Sequence, residues 1–169
     1  VSATGGVSPY SGTGMFMVPA GTQSFTVTDG DGCTSTATVT ITEPTALMAT
    51  ASGTILCNGG SGDITVTATG GTPPYTGTGS FTETAGTYTY TITDANGCST
   101  TVTYTLTEPA AIVVSVTATT IDCNGGSADV TVSATGGTAP YTGTGTFSET
   151  AGTYTYTVTD ANGCSATES

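Results

Sequence analysis

This sequence predicts a string of small all-β sandwiches arranged as a rod. Three observations carry the expectation: an internal repeat, a period-two alternation of apolar and polar residues, and a composition dominated by Thr and Gly. The repeat is direct. Val66-Thr-Ala-Thr-Gly-Gly71 recurs as Val132-Ser-Ala-Thr-Gly-Gly137, and Val1-Ser-Ala-Thr-Gly-Gly6 is the same element. Cys57-Asn-Gly-Gly60 recurs as Cys123-Asn-Gly-Gly126. Asp94-Ala-Asn-Gly-Cys98 recurs as Asp160-Ala-Asn-Gly-Cys164, with Asp29-Gly-Asp-Gly-Cys33 as an earlier copy. The offsets are 65 residues between Cys33 and Cys98 and 66 between Cys98 and Cys164.

Boundaries are expected after Glu43-Pro44 and Glu108-Pro109, because Pro cannot donate to a strand ladder and stiffens a short linker. Residues 1–44 then hold the C-terminal part of one repeat, 45–109 a complete one, and 110–169 the N-terminal part of a third. Val1 opens inside a repeat and Ser169 stops before its own is complete, so any export signal or anchor is expected outside this stretch.

Within a repeat the strands follow in order. Ile64, Val66 and Ala68 alternate with Thr65, Thr67 and Thr69. Tyr88, Tyr90 and Ile92 alternate with Thr89, Thr91 and Thr93. Val102, Tyr104 and Leu106 repeat the pattern, and Val114, Val116 and Ala118 open the third copy. Such alternation marks half-buried strands, whose successive side chains point to opposite faces. Gly70-Gly71, Gly77-Thr-Gly79, Ala85-Gly86 and Asn96-Gly97 punctuate the runs as turns. No stretch shows helical spacing. Short strands separated by turns within a domain-sized repeat point to an immunoglobulin-like sandwich, with a β-solenoid as the alternative.

Composition narrows the function. Thr and Gly fill 70 of 169 positions, 12 residues are acidic, and Lys, Arg and His are absent. Without cations the chain cannot neutralise phosphates or seek anionic lipid headgroups, so nucleic-acid and lipid-surface binding are excluded. No apolar run approaches the length of a membrane-spanning helix. Without His or Lys there is no conventional base for a Ser or Cys nucleophile, so no catalytic residue is expected. Lys–Asn isopeptide cross-links of the kind known in surface adhesins are ruled out with Lys itself.

The run from Cys57-Asn-Gly-Gly-Ser61 through Gly71-Thr-Pro-Pro-Tyr75 to Ala85-Gly-Thr-Tyr-Thr-Tyr and Asp94-Ala-Asn-Gly-Cys98 resembles the SprB repeat. That family occurs in very large surface proteins of Bacteroidetes, including the gliding-motility adhesin. The resemblance implies export across the outer membrane, an extracellular or cell-surface location, a tandem array, and adhesion or filament formation. The Thr-Gly-Thr-Gly stretch after Tyr75 departs from the aromatic-rich segment common in that family.

Candidate sites follow from the recurring residues. In an exported chain a disulfide is expected. The spacing of 41 residues between Cys57 and Cys98, and between Cys123 and Cys164, suggests one bridge within each repeat. The partner of Cys33 would then lie outside the stretch. The alternative is unpaired thiols at opposite poles of each sandwich. Asp29, Asp31 and Glu43, then Asp94, Asn96 and Glu108, then Asp160 and Asn162 recur at turns and linkers. As hard oxygen donors they could hold Ca²⁺, or the Asx side chains could simply close their own turns. Met15, Met17 and Val18 replace polar residues of the second copy and form a candidate contact patch, while Phe16, Phe81 and Phe147 align as core.

The expected function is a structural or adhesive stalk or filament segment. Its partners would be other repeats of the chain or identical chains, and its surface ligand is open. A polysaccharide-binding module, or a spacer appended to a secreted enzyme, is the alternative. Glycan sites usually need clustered exposed aromatics, and the chain has no Trp and 8 Tyr.

Overall fold

A computed structural model describes residues 1–169. It contains twelve β-strands and no helix, so the all-β expectation is met and no helix is present that could cross a membrane. The chain divides into two compact units, Val1–Ala46 and Leu47–Ser169.

The first unit is built on one antiparallel pair, β1 (Gly21–Thr28) and β2 (Thr34–Ile41). The second holds two sheet pairs of the same design. In the first of these, β3 (Met48–Gly53), β4 (Ser61–Thr69) and β5 (Gly79–Thr84) form an antiparallel sheet with β4 central. β6 (Gly86–Thr93) and β7 (Ser99–Leu106) form the other sheet, and β3 packs against β7. The next copy repeats this with β8 (Val113–Ala118), β9 (Ala128–Thr135) and β10 (Gly145–Glu149), β9 central. It is faced by β11 (Tyr156–Thr159) and β12 (Ser165–Glu168), and β8 packs against β12.

The alternation decides which residues enter the core. Ile64, Val66, Ile92 and Leu106 lie fully buried between the sheets, joined by Ile55. Ala51, Phe81, Tyr90 and Tyr104 flank them half-buried. Each fully buried aliphatic side chain contributes about 1.5–3 kcal/mol by leaving water. Val130, Val132 and Val158 make the corresponding cluster of the next copy, against Val114, Val116, Phe147 and Tyr156.

The outward face explains the Thr content. Thr50 and Thr67 share a hydroxyl hydrogen bond of 2.8 Å across β3 and β4, Thr89 and Thr103 one of 2.9 Å across β6 and β7. Branched Cβ atoms suit the pleated surface, and the hydroxyls satisfy one another where other proteins place charges. Glycine is required where backbones cross. At Gly77, with φ of 81°, a Cβ would sit 2.1 Å from the Thr91 carbonyl oxygen. That approach lets Thr76 and Thr93 exchange main-chain hydrogen bonds of 2.8 and 3.1 Å.

Candidate functional site

The loop Cys57-Asn58-Gly59-Gly60 precedes β4, and the turn Asp94–Cys98 joins β6 to β7. Gly71, just past the far end of β4, lies so close to Asp94 that an added Cβ would be 2.7 Å from Oδ2. The two cysteine motifs of one copy therefore sit at opposite ends of β4, roughly 25 Å apart at about 3.3 Å per residue. A disulfide needs Cα atoms within about 7 Å, so the expected bridges Cys57–Cys98 and Cys123–Cys164 are corrected by the structure.

The pair that forms is Cys57–Cys164, with a Cα–Cα distance of 5.6 Å and a sequence separation of 107 residues. It joins the loop of one copy to the Asp-Ala-Asn-Gly-Cys turn of the next. Cys33, Cys98 and Cys123 are free and exposed.

Polar contacts surround the joint. Gly59 N–H donates to Glu108 Oε2 at 2.5 Å, and Asn58 Nδ2 donates to the Pro109 carbonyl at 3.0 Å. The Glu108-Pro109 linker is thus fastened to the loop. From the other side, Asn162 Nδ2 donates to the Leu56 carbonyl at 3.3 Å and to Thr138 Oγ1 at 3.0 Å.

Each turn is held by its aspartate. Asp160 Oδ1 accepts from Asn162 N–H and Cys164 N–H, both at 2.9 Å, and Oδ2 accepts from Thr138 N–H at 2.9 Å. Asp94 receives the same three bonds from Asn96, Cys98 and Thr72. Asp29 receives them from Asp31, Cys33 and Val7. One carboxylate therefore fixes the turn, the cysteine backbone and the preceding Gly-Gly loop together.

The Thr72 N–H, then burial in the opposite sense, then the N–H groups of Cys98, Asn96 and Gly97 set Asp94, whose pKa is lowered from the usual value. For Asp160 burial pushes upward, but the N–H groups of Thr138, Cys164, Asn162 and Gly163 outweigh it. Val7 and Cys33 lower Asp29. Main-chain donors favour the charged carboxylate in each case.

The candidate calcium ligands are not gathered copy by copy. Glu108 lies at the loop end of its copy, while Asp94 and Asn96 lie at the turn end with Thr72. Glu43 follows β2 and the Asp29–Cys33 turn precedes it, with Asp31 in that turn. No group of three Asp, Glu, His or Cys residues comes together. Asp29, Asp94 and Asp160 spend one oxygen on their own turns and the other on the preceding Gly-Gly loops.

Met15 and Met17 are fully exposed, and Val18 is half-buried. Phe16 stacks on Phe25 with centroids 5.0 Å apart, as Phe81 does on Tyr90 at 4.6 Å and Phe147 on Tyr156 at 5.3 Å. All eight tyrosines are half-buried.

Sequence reasoning missed Asn58, Gly59 and Asn162 as joint residues. The signal was present in their recurrence beside each cysteine, but their main-chain partners belong to other elements and leave no mark in the sequence. A family model described as FctA, Spy0128-like isopeptide containing domain, matches residues 18–148. No curated protein matches the chain.

Proposed function

The chain belongs to the FctA family of Spy0128-like isopeptide-containing domains, and from that premise we propose that it is a tension-bearing segment of an extracellular stalk or filament. The family is one of structural, pilin-like domains of cell-surface proteins. The observation that carries the reading is the Cys57–Cys164 disulfide, placed between consecutive copies and not inside one. A bridge inside a sandwich stabilises that sandwich alone. A bridge between copies also transmits force from one to the next without passing through the strands of either.

The family name refers to an isopeptide bond, and such a cross-link between side chains uses a lysine amine. This chain has no Lys. Its covalent brace is the disulfide, which serves the same mechanical end with different chemistry. The motif resemblance to SprB repeats supports a finer reading, an array within a large adhesin whose copies, bounded near Pro44 and Pro109, follow one another head to tail. The Thr-covered faces and uniform negative charge suit a segment that stays soluble and apart from its neighbours. No His or Lys is present to serve a catalytic site, and the half-buried tyrosines do not favour a glycan platform.

Single-molecule pulling from the two termini tests the proposal. With the disulfide intact, force bypasses the 107-residue span it closes, and that span does not extend. Reduction, or Cys57→Ser, should add roughly 370 Å of contour length at about 3.3–3.6 Å per residue. Equal final lengths in oxidised and reduced protein would remove the mechanical role.

A further inference from the structure

Every asparagine of the chain is followed by glycine: Asn58-Gly59, Asn96-Gly97, Asn124-Gly125 and Asn162-Gly163. This dipeptide is the one most open to loss of the side-chain amide, because glycine has no Cβ to shield its main-chain nitrogen from the asparagine Cγ before it. At Asn58 the fold holds both reacting groups apart. Gly60 N–H donates to the Cys57 carbonyl at 3.1 Å and closes a β-turn. Gly59 has φ of 74° and no residue other than glycine has positive φ, so the turn is type II. Such a turn sets ψ of its second residue, here Asn58, at about +120°. A five-membered ring between Asn58 Cγ and Gly59 N demands the opposite sign, so the peptide plane between them must flip before it can react. Glu108 Oε2 opposes the flip. It accepts the Gly59 N–H at 2.5 Å, a charge-assisted bond that also keeps the proton on the nucleophile. The Pro109 carbonyl accepts from Asn58 Nδ2 at 3.0 Å and holds the leaving group aside.

We propose that Asn58-Gly59 is a latent modification site, a deamidation site that the Glu108-Pro109 linker holds closed and that opens when the linker leaves the loop. Gly59 N then attacks Asn58 Cγ. The N–Cγ bond forms, the Cγ–Nδ2 bond breaks, and Nδ2 departs as ammonia with the proton that Gly59 N gives up. Water adds to one carbonyl of the resulting succinimide and breaks one of its two C–N bonds, leaving an aspartyl or isoaspartyl residue at position 58. That carboxylate has no proton to give the Pro109 carbonyl and stands beside Glu108, so like charges keep the linker from reseating. Opening of the linker is thereby made permanent.

The Asp-Ala-Asn-Gly turns behave differently. The first copy already carries Asp31 where the others carry Asn96 and Asn162. Asp29 still accepts there from the Asp31 and Cys33 N–H groups, at 3.1 and 2.8 Å. A carboxylate therefore fits the turn, and loss of the amide leaves its own bonds in place. The one-way consequence belongs to the loop.

The test ages the full oxidised chain in mildly alkaline buffer and follows the peptides carrying Asn58 and Asn124 by mass spectrometry. Asn124 sits in the same tetrapeptide and the same turn, with Gly125 φ of 81° and Gly126 N–H on the Cys123 carbonyl at 2.9 Å, so it calibrates each sample. Asn58 is expected to convert at least about tenfold more slowly than Asn124, and Glu108→Ala to remove most of that difference. Two further variants separate the new charge from the lost hydrogen bond. Amide exchange at Gly59 should be faster in Asn58→Asp than in Asn58→Ala. Equal conversion of Asn58 and Asn124 in the unaltered chain would overturn the proposal. So would an unchanged rate at Asn58 in Glu108→Ala, an equal rise at both asparagines, or exchange at Gly59 no faster in Asn58→Asp than in Asn58→Ala. All of these readings are taken without load, so they can fail while the mechanical reading of the Cys57–Cys164 bridge stands.

Discussion

The strand pairs β1–β2 and β6–β7 are the same object in two settings. Each joins two eight-residue antiparallel strands in full register, with an aspartate-locked turn between them. Each carries Thr pairs on its outer face, Thr22–Thr40 and Thr26–Thr36 in one, Thr87–Thr105 and Thr89–Thr103 in the other. Yet Leu106 is 1% exposed and its counterpart Ile41 is 37% exposed, and every residue of β2 is exposed. The difference is the sheet β3-β4-β5, which covers β6–β7 and has no equivalent within Val1–Ala46. Hydrogen bonding and turn chemistry are local and build the hairpin in either setting. Burial is not local, and most of the stability rests on it.

The largest expected effect concerns the covalent tie, which only the second unit has. In the chain-entropy model a closed loop of this length stabilises by about 4–5 kcal/mol. Cys164→Ser should therefore lower the melting temperature of residues 47–169 and leave amide exchange in β1–β2 unchanged. Equal loss of protection in both units would break the comparison.

Next is the core. Ile92→Ala removes a fully buried side chain and should cost about 2–5 kcal/mol by denaturant unfolding. Val27→Ala, at the equivalent place in β1, is only half-buried and should cost under about 1 kcal/mol. Similar costs at both sites would mean that β1–β2 has a cover of its own.

Acid unfolding sharpens the same contrast at the turns. Asp94 and Asp29 are both held charged, so their folded pKa values lie below the unfolded one. Their contribution is complete above an ordinary carboxyl pKa near 3.9 and is lost as pH falls through the lower folded values. Stability should be flat from neutral to about pH 4 and then fall. Asp94→Asn should lower stability at neutral pH and flatten that acid limb. A fall that begins at pH 6, or an unchanged limb in the variant, would contradict the turn chemistry.

The smallest effect is at Tyr90, whose buried hydroxyl has no hydrogen-bond partner. Burial, then the charge of Glu83, pushes its pKa up. The first copy has Phe25 at this position. Tyr90→Phe should raise stability by about 1 kcal/mol, since an unpaired buried polar group is costly. A loss of more than that would reveal a partner for the hydroxyl.

These contrasts also mark what the sequence could show. The strands through Ile64-Val66-Ala68 and Tyr88-Tyr90-Ile92 were legible because alternation reflects which face is buried. The Asp94 and Asp160 turns were legible because Asx chemistry acts within a few residues. The cysteine pairing was not. A repeat tells which positions are equivalent, but not which copy supplies the partner. Cys57 has a turn cysteine 41 residues away and another 107 away, and only the length of β4 decides between them.

The pairing is therefore what tests the account most directly. Trypsin has no site in a chain without Lys or Arg, so the oxidised protein should be cut with glutamyl- and aromatic-specific proteases and mapped without reduction. The account predicts one intramolecular cross-linked peptide pair in the monomer, carrying Cys57 and Cys164. Recovery of Cys57–Cys98 or Cys123–Cys164 in its place would show that each copy is stapled to itself, and the covalent joint between copies would not exist.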